Sequence, residues 1–537
     1  MKYIMSRNKE IRTEVCIAIL LVLAVFFVGF FYLDNVCYWG DDFAAYISEG
    51  IAIAEGTLQE QIKLNAKMHP SYLPEQIRNG ELMYVWGYPL ILAAVYKIVG
   101  FDRVNFDTIV YYKIPSLLAL AFLAGVVYFF MRRRFNRKYS IFLTVFLCMY
   151  GGFFDFIDTL YSDIVFLFFS TLSLLLIELR LDSNEKKARI LLGAVLGVSL
   201  WYTYEVRLNG IAIVFAAVAA QIFDLLHNKK NTGKYSTAKH KHLLVDLIPY
   251  IVFAVMVGVS DVVFPAPTKD SGISIWLFKD NLKYYFEIIR NFFGLVLINP
   301  IYAVIKNFVS VNYTSLISAK DTLGLVAIAI CIIGVIWNWR KEIYLCLLML
   351  VYYVAACLLP YQQGIRYIFP LLPIFVLFFG YGIRQLYKLV LKCIRCNPKR
   401  ELTGIVVCVV CSMLFTFPMV EADVSACRGK AKDSITSEIN GGYRYDIYSK
   451  VPVEVYNYIR QNTPEDCTIG FYKPRALFLN TERFSVPVGV NGHTLDETDY
   501  CLTYRDDIQV DTGFTCVYSN VDFVLYRNNA RSAENSD

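Results

Sequence analysis

The chain has 537 residues, of which 56% are hydrophobic, 16% aromatic and 18% charged, with a mean hydropathy of +0.45. A set of soluble domains of that combined length would be less apolar and carry more charge, so a wholly soluble protein is excluded. The formal charge of +6 sits in short Lys/Arg clusters between apolar runs; no basic face interleaved with aromatics points to nucleic acid.

Lipid offers no hydrogen-bond partners, so long apolar runs must be helices, and each run here suits a hydrocarbon layer of roughly 30 Å. In chain order the runs are 15–34, 107–130, 140–155, 160–179, 190–204, 208–226, 243–263, 323–338, 342–360, 367–390 and 403–420. The N-terminal Met1–Arg12 is basic and leads into an uncleaved first span, since the run is too long for a signal-peptide core. Basic clusters mark the cytoplasmic side. Eleven crossings from a cytoplasmic N-terminus put all of them there: Lys2–Arg12, Arg132–Lys138, Arg180–Arg189, Lys229–Lys241, Arg340–Lys341 and Arg384–Arg400. The C-terminal tail then lies outside.

Two segments stand apart. Tyr84–Val99 is apolar but short and carries Gly87 and Pro89, which suggests an interfacial or re-entrant helix in the first external loop. Lys283–Val311 is amphipathic and aromatic and reads as a surface-lying helical loop, with room for a hidden pair of crossings. Past residue 420 the chain turns polar. A helix over Val453–Arg460 and strands over Thr468–Tyr472, Phe514–Tyr518 and Val521–Tyr526 predict a small α/β domain. The chain therefore divides into a membrane domain, 1–420, and an extracytoplasmic domain, 421–537. Most cysteines fall in apolar runs and act as small hydrophobes. Cys427, Cys467, Cys501 and Cys516 lie in the tail, where an oxidising compartment permits disulfides.

Chemistry-bearing residues gather in the external connections. Gly40-Asp41-Asp42-Phe43 places two carboxylates just past the first span. Either suits a general base, the pair suits a divalent cation such as Mg²⁺ or Mn²⁺, and either also suits a helix cap. Asp155, Asp158 and Asp163 follow in the next connection, with Asp163 heading an apolar run. An ionisable group so placed is a functional suspect, whereas Asp155 and Asp158 read as solvated. Arg207 fits a phosphate, or equally neutralises Glu205 or Asp163. Arg366, a lone cation at the outer end of a span, fits a phosphate or snorkels. His69 and His493 lack metal-ligand spacing, and no nucleotide-binding or hydrolase motif is present.

In this order the segments resemble the GT-C membrane glycosyltransferases. The resemblance is carried by Gly40-Asp41-Asp42-Phe43, Trp86-Gly87-Tyr88-Pro89-Leu90 through Gly100, Leu160-Tyr161-Ser162-Asp163, Arg207-Leu208-Asn209-Gly210, Arg366-Tyr367-Ile368-Phe369-Pro370 and the tail through Lys473-Pro474-Arg475. It departs from the family in having Tyr88-Pro89 for Pro-Pro and in the region of Tyr204-Glu205. The resemblance implies an α-helical polytopic fold of about eleven spans with interfacial helices. It also implies an inverting sugar transfer from a polyprenyl-phosphate donor to a lipid, glycan or protein acceptor. Asp41, Asp42 and Asp163 are then the catalytic candidates, Arg207 and Arg366 the phosphate ligands, and Tyr46, Tyr88, Glu205 and Tyr367 the substrate-lining candidates. The rival reading is a transporter, flippase or polymerase for lipid-linked sugars, whose charges would sit nearer the membrane midplane.

Overall fold

A computed structural model describes residues 2–37, 41–68, 84–100, 104–232, 243–264, 274–305, 313–360, 362, 364–393, 446–488, 495–505 and 513–534. The helices run α1 (Lys2–Tyr32), α2 (Asp41–Glu55), α3 (Leu58–Lys67), α4 (Gly87–Val99), α5 (Ile109–Arg132), α6 (Arg137–Cys148), α7 (Gly151–Asp158), α8 (Asp163–Asp182) and α9 (Lys186–Val206). They continue with α10 (Ile211–Thr232), α11 (Leu243–Asp246), α12 (Ile248–Val263), α13 (Phe278–Ile305), α14 (Tyr313–Asn338), α15 (Ile343–Cys357) and α16 (Leu372–Cys393). Among the described residues, six helices are long and apolar enough to cross a bilayer, and the bent pair α6–α7 makes a seventh candidate. The expected run 403–420 lies outside the described residues, as do His69, His493 and Cys427.

The expected interfacial segment is the 13-residue helix α4, too short to span a bilayer upright. It begins with Gly87-Tyr88-Pro89, where proline in the first turn forfeits no helical hydrogen bond, and packs on α2. The segment expected to lie on the surface does otherwise. Helix α13 joins the bundle, burying Tyr285, Ile289, Phe292, Phe293 and Val296 against α14 and its neighbours. Its aromatic residues recur at helical spacing and supply a core-facing stripe, not a membrane-surface face.

Both ends of the bundle are tied by ion pairs. At one end Arg134 bridges Glu178 and Glu342, and Glu14 pairs with Arg132 and Arg137. At the other, Lys113 is fully buried. Its Nζ donates to Asp158 at 2.6 Å and to the carbonyls of Asp34 and Val36 at 2.9 and 2.8 Å. Asp158 is therefore not solvated, and Asp155 accepts a hydrogen bond from Tyr32. The lysine responsible sits inside an apolar run, where charge patterning gives no hint of its partner.

The tail follows with α17 (Lys450–Asn462), β1 (Thr468–Gly470), α18 (Pro474–Thr481), β2 (Phe484–Val486), β3 (Tyr500–Tyr504), β4 (Phe514–Ser519), β5 (Phe523–Asn528) and α19 (Asn529–Glu534). The sheet order is β2-β1-β3-β5-β4, parallel in its first three strands and antiparallel thereafter. Cys467, Cys501 and Cys516 are free thiols. The tail is fastened to the first span's exit, where Ile447 N–H donates to the Cys37 carbonyl at 2.9 Å and Cys37 N–H donates to Asp446 at 3.3 Å. It also packs α18 against α2.

Candidate active site

The four acidic and basic motifs meet at one end of the bundle. Asp42 lies in the first turn of α2, where the helix dipole favours a carboxylate, and accepts a hydrogen bond from the Tyr84 hydroxyl. Asp163 opens α8 and its side chain is fully buried. Glu178, in the ion-pair network at the opposite end, lies on the same helix. Fifteen residues at 1.5 Å each put the two charged centres roughly 22 Å apart.

Arg207 owes its position to a broken helix. Its backbone is extended, with φ −156°, between α9 and a single 3₁₀ turn over Leu208–Gly210. A Cβ on Gly210 would stand 2.7 Å from the Thr203 carbonyl, so only glycine lets the chain turn this tightly. The Arg-x-x-Gly spacing in the sequence is the signature of that turn. Arg207 then donates to Asp163 at 2.8 Å and to Ser162 Oγ at 3.1 Å.

Arg366 arrives on the 3₁₀ segment Ile365–Leu371. Its guanidinium stands 3.6 Å from Asp163, 3.8 Å from Asp42 and 4.9 Å from the centre of the Tyr161 ring. The segment is held from α13, whose Asn281 donates to the Cys357 and Leu359 carbonyls at 3.0 and 2.8 Å. Tyr284 Oη accepts from the Gly364 N–H at 3.1 Å. Behind this segment an apolar cleft of about 730 Å³ opens between α13, α14, α15 and α16, lined by Leu282, Phe286, Ile332, Leu350, Tyr353 and Phe375.

The tyrosine candidates line the same place. The Tyr46 ring lies 4.4 Å from that of Tyr84 and 5.1 Å from that of Tyr88, and its hydroxyl shares a hydrogen bond with Ser162. Tyr367 stacks under Arg207 at 5.7 Å. Glu205 is not part of the group. On α9 it faces α12, towards the Ser260 hydroxyl, because helical spacing turns it away from Arg207. Asp41 also differs from its neighbour: burial pushes its carboxyl above the usual range, against the pull of Arg475, Lys473 and the Ala476 N–H of the tail. Ser162, Tyr161 and Tyr84 are not singled out by the sequence; Tyr161 and Ser162 are marked only by their adjacency to Asp163, and Tyr84 only by its place before Trp86-Gly87. Among the described residues no cluster of three Asp, Glu, His or Cys side chains suits a metal ion.

No protein-family model and no curated protein matches the chain. Solved structures do. ArnT from Cupriavidus metallidurans bound to undecaprenyl phosphate is 11% identical with a TM-score of 0.56, over 95% of this chain and 97% of that one. Its apo state gives 12% and 0.56, over 98% and 99%. The chain has the GT-C fold. The Archaeoglobus fulgidus oligosaccharyltransferase in complex with Zn and sulfate is a more distant example, 9% identical with a TM-score of 0.52 over 90% of this chain and 68% of that one. These likenesses concern the fold, and the GT-C spans identify an integral membrane protein.

Proposed function

We propose that the protein is a membrane glycosyltransferase that moves a sugar from a polyprenyl-phosphate donor to an acceptor nucleophile. The observation that carries this reading is the Arg207–Asp163–Arg366 arrangement beside Asp42. Two guanidiniums are a matched receptor for a phosphate, and a carboxylate lies within reach of whatever attacks next to it.

Asp42 takes the proton of the acceptor hydroxyl or amine. The acceptor's lone pair forms a bond to the anomeric carbon from the face opposite the phosphate. The carbon–oxygen bond to phosphate breaks, and its electron pair stays on the phosphate oxygen. Configuration inverts, and the leaving phosphate gains one negative charge. Arg207 and Arg366 bind that extra charge more strongly than the starting diester, which is the condition for lowering a barrier. The apolar cleft beside the Arg366 segment suits a prenyl chain, and ArnT of the same fold was solved with undecaprenyl phosphate.

The test is transfer by purified protein in nanodiscs supplied with polyprenyl-phosphate sugars and a panel of acceptors. Arg366→Ala should weaken binding of undecaprenyl phosphate without weakening that of undecaprenol. A donor that crosses the bilayer with its sugar intact and unconsumed would make the protein a carrier and end the transferase reading.

A further inference from the structure

The membrane-embedded part of the site has a charge problem. Asp42 and Asp163 face Arg207 and Arg366, and Asp41 adds a third carboxylate beside Asp42 in the first turn of α2. A centre with more carboxylates than guanidiniums repels a phosphodiester. Two further cations lie nearby, and both belong to the tail: Lys473 and Arg475, at the start of α18.

The tail is placed to deliver them. Helix α18 packs directly on α2, which carries Asp41 and Asp42 in its first turn. Arg475 lies close enough for its charge to act on both Asp41 and Tyr84. The Tyr84 hydroxyl in turn donates to Asp42, and its ring covers Tyr46. Arg475 thus acts on the tyrosine that holds Asp42, the carboxylate next to Arg366. Arg475 Nε is buried and has no hydrogen-bond partner, and Asp41 Oδ1 is in the same condition. A buried polar atom left unpaired is costly to the fold. An unmatched N–H on a guanidinium beside the site is what a receptor awaiting an anion requires.

We propose that the C-terminal domain completes the reaction centre: Arg475, seconded by Lys473, binds the phosphate of the lipid-linked donor together with Arg366, and Asp41 is the positioning residue that anchors these cations. With them the site changes from net negative to net positive and becomes complementary to an anionic donor. The two adjacent aspartates then divide the work, Asp42 facing the reaction and Asp41 facing the tail.

This proposal rests on the phosphate-site reading above, and one experiment separates the two. Full-length protein in nanodiscs is titrated with undecaprenyl phosphate and with undecaprenol. In the wild type the phosphate should bind far more tightly than the alcohol. Arg475→Gln should lose at least about tenfold in affinity for undecaprenyl phosphate, keep its undecaprenol affinity, and be rescued by Arg475→Lys. If Arg475→Gln does not fold, Lys473→Ala, at a partly exposed position, is read in its place with a smaller loss in the same sense. Wild-type affinity in these variants alongside a loss in Arg366→Ala would overturn the tail's role and leave the phosphate site standing. No preference for phosphate over alcohol in the wild type would remove both.

Discussion

Arg366 Nε and Asp163 Oδ1 face each other across 3.6 Å, both buried and neither with a hydrogen-bond partner. Asp163's other oxygen is already held by Arg207 at 2.8 Å. The carboxylate thus fixes one guanidinium and leaves the second under-bound, ready for a ligand oxygen. Asp163→Asn keeps the shape but loses the charge that orients both arginines, and transfer should fall about 10²-fold or more. Asp163→Ala leaves Arg207 buried and uncompensated, with an added stability loss of about 3–5 kcal/mol. Steady-state kinetics and thermal unfolding in detergent measure the two effects; an Asn variant with wild-type kcat/KM would sink the claim.

The adjacent aspartates should separate kinetically. Asp42→Asn removes the proposed base and should reduce kcat about 10²–10⁴-fold while donor binding survives. Asp41→Asn should act chiefly on donor affinity, through the tail. Equal kcat losses at unchanged affinity in both variants would contradict the division.

Lys113 tests the buried cluster beneath the site. It is fully buried against Asp158, so Lys113→Met should destabilise by about 3–5 kcal/mol, because it strands a buried carboxylate. Lys113→Met combined with Asp158→Leu should recover much of the loss. Melting temperatures of the single and double variants decide it, and a double variant no better than the single would mean that the pair is not the reason.

How far the sequence was legible follows from these same residues. Asp163, Arg207 and Arg366 could be picked out because a charge at the end of an apolar run is costly and therefore conspicuous. Lys113 and Glu205 could not be placed, since pairing and helix facing depend on neighbours distant in the chain. The tail helix over 450–462 and the two C-terminal strands were legible from periodicity and punctuation. Strand β1 was legible within the apolar run Thr468–Tyr472, whereas the three residues of β2 carry too little pattern, and α18 hid behind Pro474. For that reason the packing of α18 on α2 had no trace in the sequence.

Gly87 controls how α4 meets the end of α9. A Cβ there would stand 2.5 Å from the Glu205 carbonyl carbon and 2.6 Å from its oxygen, both backbone atoms that cannot swing aside. Tyr202 also donates to the Gly87 carbonyl at 2.6 Å. Gly87→Ala should push α4 away from the turn that carries Arg207, costing about 1–3 kcal/mol in stability and most of the transfer activity. Gly258, with no atom within 4 Å of an added Cβ, is the control: Gly258→Ala should leave both unchanged. Comparable losses in the two variants would point to a general intolerance of the membrane helices.

Asp446 should make the tail's attachment depend on pH. Burial pushes its carboxyl up to about 6, against the hydrogen bonds it accepts from the Tyr448 and Cys37 N–H groups. A carboxyl raised in the folded state binds more protons there than when unfolded, near pH 4 to 6, so stability falls as pH rises through that window. The penalty is complete above about pH 6 and amounts to roughly 3 kcal/mol. Asp446→Asn retains the accepting oxygen without the charge. It should therefore flatten the pH dependence and hold the tail more firmly at pH 7.5, read as slower hydrogen exchange at Ile447 and Cys37. An Asn variant with the wild-type slope would show that another group titrates at this junction.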